Sequence, residues 1–153
     1  MKGRRREFGI FMMRVGLGIM FILHGYPKLL GGPPAWERLG STMTLVGIDF
    51  FPIAWGLLAG LAETLGGAML IFGLFTHLAC FALTFSMTIA TAFHLNKGDS
   101  FADFSHPMEL GTVTLAMILI GAGRYSIDYL LFGNRAESND ARGIEAPDSF
   151  ILG

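Results

Sequence analysis

Residues Gly9 to Leu30 read GIFMMRVGLGIMFILHGYPKLL, a run apolar enough to cross a bilayer that nonetheless carries Arg14, His24 and Lys28. A helix needs roughly 20 mostly apolar residues to span the hydrocarbon. Runs of that length recur near Phe8–Leu30, Phe51–Phe75, Thr76–Leu95 and Pro107–Tyr125. With 52% hydrophobic and only 15% charged residues among 153, the chain is too apolar for an ordinary soluble domain. The expectation is an all-α integral membrane four-helix bundle over 8–133. A basic segment, 1–7, precedes it, and a polar, turn-rich tail, 134–153, follows and is expected to be flexible.

The charges set orientation and exclude some partners. Lys2, Arg4, Arg5 and Arg6 precede the first span, and Arg124, Arg135 and Arg142 lie at or after the end of the fourth. By the positive-inside bias, both termini are expected in the cytoplasm of a multi-pass protein in a bacterial-type plasma membrane. The basic residues are divided between termini and loops, so nucleic acid is not an expected partner. RRREF has a twin-arginine flavour, but Arg14 interrupts the apolar region and no small-residue cleavage site follows, so the first span is expected to stay. Cys80, the only cysteine, has no partner for an internal disulfide.

Helical spacing explains why a span tolerates ionisable groups. Taking about 100° per residue, Arg14, Gly18, Phe21, His24, Gly25 and Lys28 share one side of the first helix. Met12, Ile19, Met20 and Leu23 share the other. A polar and small-residue stripe facing other helices, with a bulky apolar stripe facing lipid, fits this division. The alternative for Arg14 and Lys28 is snorkelling to their interfaces. In the second span Gly56, Ala59, Gly60, Gly66 and Gly67 accompany Glu63, which lies roughly 18 Å along the helix from Phe51. An ionisable group at that depth is a functional candidate. Its structural reading is an acid that is protonated, or one paired with Arg14 to pin two helices.

The third span carries His77, Cys80, Thr84, Met87, Thr91 and His94 on one seam. The fourth opens SHPMEL, with Pro107 expected at the helix start and Glu109 in its first turn, where a carboxylate also suits the helix dipole. Between the first two spans, Trp36, Leu39, Met43 and Val46 recur at helical spacing, predicting a short amphipathic helix at the outer membrane surface. Asp99, Asp103, His106 and Glu109 form no recognisable metal-ligand pattern, and no metal is expected.

These positions predict layers. His24, Lys28, His94, His106 and Glu109 fall towards the outer interface, Glu63 near mid-membrane, and Arg14, His77, Arg124 and Asp128 towards the cytoplasm. Such layering suits a quinol or similar carrier losing protons to histidine or glutamate, and it also suits a structural polar seam. On this reading His24, Glu63, His94 and Glu109 are the catalytic candidates. Arg14, Lys28, Arg124 and Asp128 are the cofactor-binding candidates.

RVGLGIMFILHGYPKL, LLAGLAETLGGAMLIFGLFT and GAGRYSIDYLLFG, in that order, make the chain resemble the DoxX family. The likeness covers most of residues 8–133 and rests on Arg14, Gly18, Gly25 and Lys28, then Glu63, Gly66, Gly67 and Gly73, then Gly121, Gly123, Arg124, Ser126 and Asp128. Ala122 stands where the family often has proline. The resemblance implies a small four-helix membrane protein whose relatives serve quinone-linked or sulfur-oxidising complexes, or anchor redox-stress assemblies. Lipid and other redox subunits are the implied partners, homo-oligomer formation is open, and quinone is the candidate cofactor. A non-catalytic accessory subunit, packing through its glycine faces and tail, is the rival reading; a small-solute transporter ranks below both, since no inverted repeat or broken span is visible.

Overall fold

The computed structural model of the chain describes residues 2–133, all helix, turn or connection, with no strand among them. The tail expected over 134–153 lies outside the described residues. Helix α1 runs Lys2–Leu30, α2 Gly32–Gly40, α3 Pro52–Phe72, α4 Thr76–Lys97 and α5 Phe101–Ile120. A 3-10 segment, Ser41–Val46, continues α2, and a π-helical turn, Tyr129–Gly133, follows α5. Within α1, α3 and α4 there are three stretches long and apolar enough to cross a membrane: Gly3–Leu30, Pro52–Phe72 and Thr76–Lys97. α5, 20 residues long, falls outside this set; its first half carries Asp103, His106 and Glu109.

Three boundaries differ by more than a turn from the sequence expectation, one of them the end of α5, which stops at Ile120 rather than near Tyr125. α1 takes in the basic residues from Lys2 rather than beginning near Phe8. α5 begins at Phe101 rather than Pro107, because Ser100 and Asp103 close a capping box in which each side chain bonds the other's backbone N–H. Pro107 is therefore a buried residue inside the helix, and Glu109 lies beyond the first turn, where capping no longer explains it.

The helices pack in series, α1 on α3, α3 on α4 and α4 on α5. Between α1 and α3 the contact is backbone to backbone. A Cβ added to Gly18 would lie 2.5 Å from the Gly67 carbonyl oxygen, and one on Gly67 would lie 2.6 Å from that of Gly18. The spacing of Arg14, Gly18, Phe21 and Gly25 does place them on the buried face of α1, while Met12, Ile19, Met20 and Leu23 are exposed on the face open to lipid. The apolar core joins Phe21, Leu70, Leu83, Met87 and Met117 from all four long helices.

The amphipathic segment after α1 does form, yet it packs on α3 instead of merely lying on a membrane surface. A Cβ on Gly56 would run into the Trp36 carbonyl, and one on Gly40 into the Pro52 carbonyl. Gly60 is covered by Leu29, where an added Cβ would lie 2.8 Å from Leu29 Cδ2. The Gly56/Gly60 pair thus serves this chain's own packing, which removes it as the docking face of an external subunit.

Candidate functional site

The antiparallel hairpin of α3 and α4 decides what surrounds Glu63. Its turn at Gly73–Phe75 is tight, so Glu63, ten residues before Gly73, comes level with Ser86, eleven residues after Phe75. The Ser86 hydroxyl donates to Glu63 Oε1 at 3.3 Å. From α1, Lys28 Nζ donates to both carboxylate oxygens at 2.6 Å. Glu63 is 1% exposed, whereas the Lys28 side chain retains 34% of its surface. The ion pair is therefore buried at one end and open at the other. Lys28, not Arg14, is the partner of Glu63, so Lys28 turns inward instead of snorkelling.

Two cavities meet at this pair. One, about 200 Å³, lies between α1, α4 and α5 and is lined by His24, His94, Asp103 and His106 as well as Lys28 and Glu63. The His24 and His106 rings stand 5.2 Å apart, bridging α1 and α5. His24 Nδ1 lies 2.8 Å from the Met20 carbonyl and His94 Nδ1 lies 2.8 Å from Asp99 Oδ2. Each acceptor fixes its Nδ1 as the donor and leaves Nε2 available to accept a proton. Asp99, in the turn after α4, is held below the ordinary carboxylate range mainly by the His94 bond, with Lys97 helping. The second cavity, about 330 Å³, lies between α3, α4 and the α2 segment. Trp55, Phe81 and Phe85 line it, together with Lys28 and Glu63 from the shared wall and Ser86, which lines this cavity and not the other. No group of three or more metal-ligating side chains occurs among the described residues.

The site residues expected from sequence divide. His24, Lys28, Glu63 and His94 come together. Glu109 does not join them: it is exposed and outside the cavity, whose α5 wall is Asp103, His106, Pro107 and Leu110. Ser86 and the Asp99 bond to His94 were not anticipated. Ser86 was discoverable by reflecting Glu63 through the α3–α4 turn; the Asp99 contact depends on the loop path.

Arg14, Arg124 and Asp128 lie at the other end of the bundle, where each is engaged in bonds within the chain. Arg14, fully buried, donates to the Tyr125 carbonyl and interacts with the charge of Asp128. Asp128 accepts the backbone N–H groups of Phe75 at 2.7 Å and Thr76 at 2.8 Å, capping α4. Arg124 donates its backbone N–H to Glu7 at 2.7 Å and sets its guanidinium 5.5 Å from the centre of the Tyr129 ring. His77 is exposed nearby and lines a separate groove with Asp128. Arg14, Arg124 and Asp128 thus fasten residues 121–133 to α1 and to the α3–α4 turn.

The DoxX family profile matches residues 9–96. A Haemophilus influenzae (strain Rd) protein, named "Uncharacterized protein", is 31% identical over 137 residues, 83% of this chain and 93% of that one. A Bacillus subtilis (strain 168) protein, named "Putative oxidoreductase CatD", is 30% identical over 135 residues, 87% of this chain and 94% of that one. No solved structure matches the chain at a significant level.

Proposed function

This chain belongs to the DoxX family of membrane proteins, and from that premise we propose that it is a multi-pass subunit of quinone-linked electron transfer, contacting quinone or quinol around Glu63. The observation that carries the reading is the Lys28–Glu63 pair in the common wall of two cavities, one rich in imidazole and one apolar. Oxidation of a quinol releases protons, and histidine nitrogens with carboxylates close by are suited to accept them near neutral pH. The oxidoreductase name of the Bacillus subtilis relative supports the same class of chemistry.

In this proposal the electrons pass to a separate redox subunit in a bacterial-type plasma membrane. Both termini lie on the cytoplasmic side, as the basic flanks favour. The accessory-subunit alternative loses the Gly56/Gly60 face, which the chain itself covers.

The test is isolation of the native protein in mild detergent, followed by mass spectrometry of the polypeptides and lipidic carriers that stay attached. Quinone together with a redox partner is the expected result. A stable partner with no quinone, in preparations where added quinone also fails to bind, overturns the proposal in favour of an accessory bundle.

A further inference from the structure

We propose that the carrier's headgroup binds in the apolar cavity between α3 and α4, on the side of the Lys28–Glu63 pair away from the histidines. This inference rests on the quinone reading above and assigns the two cavities different tasks: the larger holds the ring, and the smaller holds water and exchanges protons.

Size separates them first. Small-molecule sites occupy about 300–1,000 Å³; the α3–α4 cavity, at about 330 Å³, reaches that range and the histidine cavity, at about 200 Å³, does not. Chemistry agrees. The larger cavity offers aromatic faces at Trp55, Phe81 and Phe85 for a planar ring, with its charged groups confined to the Lys28–Glu63 wall. Such a pattern orients a ring by its oxygen substituent.

The donors also suit a carbonyl oxygen. The Ser86 hydroxyl holds Glu63 at 3.3 Å, a long bond beside the 2.6 Å of Lys28, so Ser86 is the more easily recruited. The indole N–H of Trp55 is buried with no acceptor among the described residues. Lys28 and Glu63 cancel in charge, which favours a neutral ligand. A fatty acid anion would instead bring a second carboxylate beside Glu63.

Access points the same way. Phe81 and Phe85 are 67% and 47% exposed on the outer face of α4, within its apolar span. A ligand with an apolar tail can enter there directly from the acyl region, leaving its tail in lipid. The histidine cavity lies by the start of α5, with His24, Asp103 and His106 all exposed.

The full chain in lipid nanodiscs is titrated with decyl-benzoquinone, binding being followed by quenching of tryptophan emission in a Trp36→Phe background that leaves Trp55 as reporter. Saturable quenching is expected. Ala82→Leu and Ala59→Leu, which fill the apolar cavity from α4 and α3, are each expected to weaken binding about tenfold or more. Leu110→Phe, the matching change in the histidine cavity, is expected to alter it less than about twofold. Helical content by circular dichroism identifies any filler that does not fold, and the direct Trp55 signal requires no filler. Saturable binding by an independent separation assay without Trp55 quenching, or with sensitivity only to Leu110→Phe, overturns this placement while the quinone reading stands. No binding to the parent protein by either assay overturns both.

Discussion

Lys28 Nζ stands 2.6 Å from both carboxylate oxygens of Glu63, joining α1 to α3 through a pair in which the acid is buried and the base is partly open. Removing a single partner of a fully buried pair costs about 3–5 kcal/mol, because the other charge is left unpaired. The partial exposure of Lys28 lowers that figure here. Lys28→Met is expected to destabilise the folded bundle by about 2–3 kcal/mol, with Lys28→Met/Glu63→Gln recovering at least half of the loss. Reversible unfolding of the single and double variants in mixed detergent micelles measures both.

Gly56 is in backbone contact with Trp36, whereas Gly16 has nothing within 4 Å of where a Cβ would stand. Gly56→Ala therefore forces α2 away from α3 and is expected to cost about 2 kcal/mol or more through overpacking. Gly16→Ala is expected to be neutral or stabilising by up to about 1 kcal/mol, since alanine favours the helix. Thermal unfolding of the two variants separates them; equal loss in both would contradict the packing of α2 on α3.

At the opposite end, Asp128 accepts two N–H groups at the start of α4. Asp128→Ala is expected to lower stability by about 1–2 kcal/mol, the range of a lost N-cap. Asp128→Asn, which keeps one acceptor oxygen, is expected to lose less. Faster hydrogen exchange at the start of α4, with the Lys28–Glu63 end unchanged, would show that the loss is local.

Gly73 carries φ +65°, and a side chain there would strike the Arg14 guanidinium. Gly73→Ala therefore suffers both left-handed backbone strain and a steric clash, and it is expected to be more harmful than Asp128→Ala. Yield of folded protein and its melting temperature provide the comparison.

The native carboxyl of Asp99 titrates below its ordinary value because His94, and then Lys97, hold it ionised. Its stabilising contribution is complete above the unfolded value of about 3.9 and is lost as the pH falls through the lower native value. Asp99→Asn is expected to flatten the decline of melting temperature over that acid range. An unchanged decline would show that other groups govern it.

The sequence by itself determined the membrane class, the helical character of the chain and the buried faces, because apolar run length and a 3.6-residue period follow from bilayer thickness and helix geometry. It thereby placed Arg14, Gly18 and Gly25 of α1, and Glu63 of α3, on faces that turn inward. Tertiary structure alone decided the partners. A face specifies direction but neither depth relative to a neighbouring helix nor the reach of a flexible side chain, so spacing offers Arg14 for Glu63 and leaves Lys28 free to snorkel. The α1–α3 packing brought Lys28 to it. The capping box at Ser100 set the start of α5 at Phe101, so Asp103 joins the expected His106 in lining the histidine cavity while Glu109 stays outside it. The division into two cavities arises only where several helices meet, since local spacing cannot encode the empty space between elements distant in the chain.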